Sequence, residues 1–524
     1  MNTEQLIAPQ IYNIVDEFEK HVNKGEKTAL IIQEENGEEA RYTYEALLDK
    51  ANQAANAFLA QGLKKGDVIL IMLPRCIEAY VSYIGALKAG LVIIPSSELL
   101  RAKDIDYRLI HSNAKAIIVQ EQYIAEFEQV ESLANVTCFI VGEEREGWTS
   151  LMSLAEKQST VFDAVQTEAD DLAFLAYTSG TTGNPKGVMH SHGWGYAHLR
   201  TTASEWLGVQ DGDIVWATAA PGWQKWIWSP FLAVLGSGAT GFVYKGKFDA
   251  KAYLQNIESQ HINVLCCTPT EYRMMAKLDQ LSTFNLTSLR SAVSAGEPLN
   301  REVIETFKRE HKLVVRDGYG QTENTLLIGT LLNTELRSGS MGKPTPGNRI
   351  ELIDEFGEPV ATGEVGDIAV HKSTPALFKG YYKDSERTSI QFRGDWYITG
   401  DRATKDDDGY FWFEGRNDDI IISSGYTIGP FEVEDALTKH PAVQECAVVA
   451  SPDEIRGNVV KAFIVLRDPS QRDSPTIVEE LQNHVKQLTA PYKYPRIIEF
   501  LEELPKTISG KIRRVELRSK EKSR

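Results

Sequence analysis

The apolar positions in the first 170 residues fall into two alternating rhythms. In YTYEALLDKANQAANAFLAQG (42–62) they recur at helical spacing and stop at Gly62, which predicts an amphipathic helix. The unbroken apolar run VILIML (68–73) follows, the pattern of a strand buried on both faces. A helix near 76–89, the strand LVIIP, a helix near 103–111 and the strand AKAIIV (114–119) continue the alternation. DIVWATA, TGFVYKG, INVLCCT and LRSAVSAG carry it further. Strand alternating with helix predicts parallel sheets covered on both sides.

From about residue 345 the texture changes. NRIELIDEFGEPV, GEVGDIAVH and DGYFWFEGR are short strand patterns separated by Gly and Asp turns, which predict a small β-rich unit. Beyond Arg416-Asn417-Asp418-Asp419 a last block holds a helix at 430–439, the strands QECAVVA and VVKAFIVL, a helix at 477–488 and the strand RIIEF. The fold expected is therefore α/β. A large N-terminal domain (1–416) combines layered parallel sheets with a β-rich subdomain, and a small mobile α+β domain (417–524) follows a short polar hinge.

Composition narrows the function classes. The chain has 524 residues, 42% of them apolar and 25% charged, with a net charge of −17. A core of ordinary size is implied. A general nucleic-acid binder is disfavoured, because phosphate neutralisation needs clustered Lys and Arg. The five cysteines show no CxxC spacing, and Cys266-Cys267 in INVLCC read as buried structural thiols, which suits a reducing compartment. The N-terminal residues are polar and acidic, unlike a signal peptide. The long apolar stretch AYVSYIGALKAGLVIIP is broken by Lys88 and Gly90, so no membrane span is expected. The expectation is a soluble, cytoplasmic protein, and a homo-oligomer is compatible with the sequence.

The segment LAFLAYTSGTTGNPKGVMHSH (172–192) carries the most chemistry. An apolar strand runs into Thr178-Ser179-Gly180-Thr181-Thr182-Gly183 and then Pro185-Lys186-Gly187. Closely spaced glycines let backbone N–H groups converge on an anion, the hydroxyls add donors, and Lys186 adds charge. The combination suits a polyphosphate, without the residue order of a Walker A loop. His190 and His192 have no partner at metal-ligand spacing; an HxH pair in a strand would direct both rings to one face. No zinc site is expected, and no GxSxG elbow is present.

YTSGTTGNPKGV resembles the phosphate loop of the adenylate-forming superfamily of acyl-CoA synthetases, firefly luciferases and peptide-synthetase adenylation domains. Gly296-Glu297-Pro298, Asp317-Gly318-Tyr319-Gly320-Gln321-Thr322-Glu323, Tyr397 to Asp401, Gly415-Arg416 through Glu434, and Pro505 to Lys511 resemble further family motifs, in the family's order. The resemblance spans nearly the whole chain. It implies an AMP-forming acid-thiol ligase using a carboxylic acid, ATP, Mg²⁺ and CoA. Thr178, Ser179, Gly180, Thr181, Thr182 and Lys186 would hold the β- and γ-phosphates, and Glu323 would sit near Mg²⁺. Tyr319 would stack on adenine, with Gly296-Glu297-Pro298 along its edge and Asp317, Gly318, Gln321 and Thr322 contributing to the nucleotide site. Asp401 would accept the ribose hydroxyls beside Arg416. Lys511 would bridge carboxylate and α-phosphate as an electrostatic clamp. Asp418 matches the hinge and Gly425 the pantetheine tunnel.

Acid specificity rests on fewer residues. Acetate-specific relatives carry tryptophan where this chain has Gly320, so space for a longer or branched chain is expected there, with Trp223 and Trp226 lining it. The texture of the chain resembles medium-chain and short branched-chain synthetases. Thr427 stands where many CoA ligases have arginine, and Lys493 and Arg496 become candidates for CoA phosphate contacts. Two other readings stay open: transfer to a carrier-protein phosphopantetheine, and a regulatory protein that binds without turnover.

Overall fold

The helix expected at 42–62 runs Tyr44–Ala60. Thr43 caps it by accepting from the Ala46 N–H at 3.1 Å, and Gly62 turns the chain away at φ 85°, a conformation that glycine adopts without strain. This computed structural model describes residues 1–22, 26–178, 185–296, 299, 301–416, 419–423, 426–453, 456–506 and 511–522. Ser179, Gly180, Thr181, Thr182, Glu297, Pro298, Asp418 and Gly425 lie outside the described residues, as does the side chain of Thr427.

Two sheets dominate the N-terminal domain. The first has seven strands, in the spatial order Thr149–Ser150, Thr137–Val141, Ala116–Gln120, Val68–Met72, Val92–Pro95, Leu172–Thr178 and Lys186–Ser191. All pairings are parallel except the last, a hairpin in which Thr178 faces Lys186. The second has nine strands. Val315–Gly320, Ser291–Ala295, Val264–Cys267, Ile214–Ala217, Thr240–Tyr244 and Thr28–Gln33 run parallel, and both edges are closed by antiparallel strands. Helices Tyr44–Ala60 and Ile77–Lys88 cross closely, since a Cβ on Gly85 would lie 2.9 Å from the Ala51 carbonyl oxygen.

Strands Ile350–Ile353, Gly366–His371, Trp396–Lys405, Phe392–Arg393 and Phe411–Arg416 form the expected β-rich unit, entirely antiparallel. The C-terminal block builds its own three-stranded sheet from Val443–Asp453, Gly457–Leu466 and Ile497–Phe500, with helices Pro430–Thr438 and Ile477–Leu488. It has a separate core around Val433, Leu437, Val448, Ile464 and Leu481.

Three features depart from the sequence pattern. The residues after Lys511, readable as a basic tail, form a helix, Arg514–Lys522. Leu199–Leu207 and Ile227–Ala233 are π-helical; the second contains Pro230, whose missing N–H breaks regular pairing. The strand bearing His190 ends at Ser191, so His192 opens the helix His192–His198 and the two rings do not share a strand face.

Trp226 is core. It lies with Tyr80, Tyr83 and Phe231, ring centroids 4.8–5.2 Å apart, and is 2% exposed. Replacing it with Ala should cost about 3–5 kcal/mol in chemical denaturation, as large aromatic truncations do when the cavity cannot collapse; a loss below about 1 kcal/mol would show that it is not a packing residue. Burial also pushes His190, His192 and His198 down to about 4 from the ordinary 6.5. Below pH 6.5 the unfolded imidazoles take up protons that the folded ones refuse until about pH 4, so acid favours unfolding across that window. The loss should approach about 3 kcal/mol per imidazole by pH 4. A stability curve flat between pH 6.5 and 4.5 would contradict it.

Candidate functional site

The last turns of the two large sheets and the β-rich unit meet around the segment 321–325, which follows strand Val315–Gly320. Every residue of this segment is tied to an element outside it. The Gln321 amide donates to Asp401 Oδ2 at 2.8 Å and to the Thr399 carbonyl at 2.9 Å. The Thr322 carbonyl meets His190 Nε2 at 2.6 Å. The Asn324 carbonyl accepts from the Trp194 indole at 3.0 Å, and the Thr325 hydroxyl bonds His198 Nδ1 at 2.6 Å. The histidines thus serve as buried struts, and among the described residues no group of three or more His, Cys, Asp or Glu side chains is arranged to hold a metal.

At the centre of the segment, Glu323 is 8% exposed. Its carboxylate Oε1 accepts from Lys186 Nζ at 3.3 Å and from the Tyr381 hydroxyl at 2.9 Å. Lys186 also donates to the Tyr381 oxygen at 3.0 Å. Lys186 comes from the first sheet, Glu323 from the end of the second, and Tyr381 from the connection between strands Gly366–His371 and Phe392–Arg393 of the β-rich unit. The Glu323 carbonyl accepts from the Phe378 N–H at 2.8 Å, which fastens that connection. Tyr381 was not singled out from sequence, because one tyrosine in FKGYYKD carries no pattern of its own. Thr178, which starts the loop, has a buried hydroxyl with no hydrogen-bond partner among the described residues.

A second polar node sits on the other side of Gln321. The Tyr319 hydroxyl donates to Asp401 Oδ2 at 2.6 Å, and burial together with that carboxylate drives the phenol well above its ordinary range. Asp401 is 5% exposed and stands opposite Arg416 across the antiparallel pair Trp396–Lys405 and Phe411–Arg416. The expected ribose carboxylate and its arginine are therefore neighbours. Asp317 is turned elsewhere: its carboxylate accepts from the Gly318 and Leu299 N–H groups at 2.8 and 3.4 Å, and burial raises it to about 7. Gly318 is glycine for packing, since a Cβ there would lie 2.6 Å from the Trp206 ring.

Gly296 has φ 111°, and a Cβ on it would lie 3.9 Å from both Lys225 Nζ and Lys511 Cε. The two lysines therefore flank one backbone position, and the C-terminal domain brings Lys511 to the ends of the second sheet's strands. The Lys277 ammonium, donating to the Gln444 carbonyl at 3.0 Å, joins the two domains in this orientation. Lys225, which donates to the Ala295 carbonyl, was missed from sequence. A lysine inside the aromatic run WQKWIW was the available signal. Its neighbour Gln224 is 8% exposed, and neither amide atom has a hydrogen-bond partner among the described residues.

Gly320 needs a correction. A Cβ there would sit 2.2 Å from the Thr325 carbonyl oxygen, at a register shift between strands Val315–Gly320 and Leu326–Gly329. Glycine is required by the close approach of two backbones at this bulge, and a side chain added there would meet main chain before it could fill any pocket. Trp223 is partly buried, next to Gly222, whose positive φ of 93° and contact with the Ser96 backbone fix the turn before it.

Comparison with known proteins identifies the family. Residues 18–382 match the AMP-binding enzyme family, and residues 432–511 match the AMP-binding enzyme C-terminal domain. The acyl-CoA ligase YtcI of Bacillus subtilis is 59% identical over 521 residues, covering 99% of this chain and 98% of its own. The 4-hydroxybutyrate–CoA ligase 1 of Metallosphaera sedula is 42% identical over 518 residues, covering 97% and 90%. The crystal structure of the anthranilate CoA ligase AuaEII in complex with anthranoyl-AMP superposes with a TM-score of 0.91 at 31% identity, covering 99% of both chains. The chain belongs to the AMP-binding enzyme family and is an AMP-forming acyl-CoA ligase, an acid-thiol ligase using ATP and CoA.

Proposed function

We propose that the site divides the reaction among the residues just described, and that the acid is a medium-chain or short branched-chain fatty acid. The observation that carries the division of roles is the Lys186–Glu323–Tyr381 contact beside the start of the loop. It sets one cation and one carboxylate where a triphosphate emerging from Thr178–Lys186 would need them. Lys186 and the unpartnered Thr178 hydroxyl bind the β- and γ-phosphates, with Ser179, Gly180, Thr181 and Thr182 supplying further donors. A single buried carboxylate suits Mg²⁺, which takes most of its ligands from phosphate and water. Glu323 would hold it, and when bound it neutralises phosphate charge. Asp401, held by Tyr319 and Gln321, receives the ribose hydroxyls beside Arg416.

Adenylation then needs little chemistry from the protein beyond positioning and charge neutralisation. A carboxylate oxygen of the acid attacks the α-phosphorus, the bond to pyrophosphate breaks, and an acyl-adenylate forms. Lys511, next to Gly296, clamps the acid carboxylate to the α-phosphate, and Lys225, equally close to the same backbone position, adds a second cation. Thioester formation follows when the C-terminal domain turns about Asp418, removing Lys511 and bringing Gly425 to line the thiol's approach. The CoA sulfur then attacks the acyl carbonyl and AMP leaves. Tyr426 and Tyr492 stack at 4.3 Å beside that segment, and Lys493 and Arg496 lie against tyrosine rings; this basic aromatic patch suits the nucleotide end of CoA. Five free thiols suit a cytoplasmic enzyme, and among the described residues no helix is long and apolar enough to cross a membrane.

The partly buried Trp223 supports an alkyl acid. The unpartnered Gln224 amide favours a second reading, an acid carrying a hydroxyl or keto group, because a buried amide left unpaired costs about 1–3 kcal/mol. CoA-dependent AMP release with ATP and Mg²⁺ should be measured across straight, branched, hydroxy and aromatic acids. A maximum among C4–C10 alkyl or branched acids is expected. A maximum on hydroxy acids would select the second reading, and a maximum on aromatic acids would overturn both. With the best acid, Lys511→Ala should lower acid-dependent pyrophosphate–ATP exchange about 100-fold or more while thioester formation from supplied acyl-adenylate changes less than about threefold. Equal losses in both would remove the assigned role.

A further inference from the structure

Lys511 is followed by the helix Arg514–Lys522, whose inner face is ionic. Arg514 grips Glu434, with Nη2–Oε2 at 2.6 Å and Nε–Oε1 at 3.2 Å. Arg518 pairs with Asp419. Glu521 accepts from Lys461 Nζ and from the Ser451 hydroxyl, each at 2.7 Å. Positions 514, 518 and 521 are separated by four and three residues, so they fall on one face of the helix. Leu517 shares that face and is buried with Ala447, Val449 and Phe463. The partners are desolvated: the side chains of Asp419 and Glu434 are 8% exposed and that of Lys461 is 1% exposed. Buried pairs of this kind add little net stability, yet losing one member leaves an uncompensated charge, so they fix geometry strongly.

What Arg518 grips is the turn at the domain boundary. The N–H groups of Asp419 and Ile420 both donate to the Arg416 carbonyl at 3.0 Å, and Arg416 faces Asp401. On the other side, a bridge between Lys506 and Ile512 and the Arg513 N–H to Pro505 carbonyl bond of 2.8 Å close the base of the segment that carries Lys511. A continuous path therefore runs from Asp401 through Arg416, the turn, Asp419 and Arg518 into the helix, and back to Lys511.

We propose that Arg518, acting through Asp419, is a positioning residue for Lys511 in the adenylation step. The ion pair fastens the lysine-bearing segment to the turn about which the domain pivots, so the orientation of that turn decides whether the lysine comes to rest beside Gly296. The inference rests on the adenylation role given to Lys511. Thioester formation does not use that lysine and should be spared.

The test uses the full-length protein and its best acid, and measures pyrophosphate–ATP exchange, thioester formation from supplied acyl-adenylate, and hydrogen exchange of residues 505–513. Arg518→Met and Asp419→Asn should each lower exchange activity about tenfold or more, leave the thioester step within about twofold, and speed hydrogen exchange in 505–513. Arg518→Lys keeps the cation without the guanidinium fork and disturbs folding least; it should lose about threefold, again confined to pyrophosphate exchange. Unchanged pyrophosphate exchange in Arg518→Lys and in either stronger variant would overturn the proposal. So would equal losses in both half-reactions together with faster hydrogen exchange throughout the C-terminal domain, because the helix would then be a structural strut alone. Lys511→Ala is run alongside: if it retained pyrophosphate exchange, the role of the lysine itself would fail, a result separable from the behaviour of Arg518.

Discussion

One desolvated carboxylate organises the N-terminal domain. Glu323 is buried at the end of the second sheet and is held by a lysine from the first sheet and a tyrosine from within the β-rich unit. An unpaired carboxylate there would be costly, so the two sheets and the third unit are obliged to meet at one place. The neighbours of Glu323 repeat the theme, since Gln321 is bonded to the strand Trp396–Lys405, Thr322 to the strand Lys186–Ser191, and Asn324 and Thr325 to the helix His192–His198. These bonds tie the segment to its surroundings, although the Asn324 amide nitrogen is buried with no hydrogen-bond partner among the described residues. The proposed phosphate loop starting at Thr178 and the proposed ribose carboxylate Asp401 would act together only if held in register, and the Lys186–Glu323 and Gln321–Asp401 contacts tie both to this segment.

The same constraint explains Gly320. The backbone enters the segment through a bulge in which Gly320 and the Thr325 carbonyl nearly touch. A tryptophan at this position in other enzymes says something about their pockets, but here the main chain claims the space first.

Much of the fold was legible in the sequence, because buried parallel strands such as Val68–Met72 leave unbroken apolar runs and amphipathic helices such as Tyr44–Ala60 leave a stripe. The helix Arg514–Lys522 was not legible for the converse reason: its inward stripe consists of Arg514, Arg518 and Glu521, which read as solvated charge until their partners in distant segments are placed. The two π-helical turns follow from packing around Pro230 and Trp206, which no periodicity records. Among the site residues, Glu323, Asp401 and Lys511 stood out because they lie in motifs. Tyr381 and Lys225 did not, since each matters only through what the fold brings beside it, and the Asp317 carboxylate accepts from the backbone N–H groups of Gly318 and Leu299.

The central claim is that this arrangement activates the acid at the α-phosphorus of ATP. The most direct measurement is the fate of oxygen from an ¹⁸O-labelled carboxylic acid during a single turnover with CoA, read by mass spectrometry. One labelled oxygen is expected in AMP and none in pyrophosphate, because the carboxylate oxygen that attacks phosphorus stays with it when the thiol displaces the adenylate. Label appearing in inorganic phosphate with ADP as the nucleotide product, or AMP without label, would contradict it.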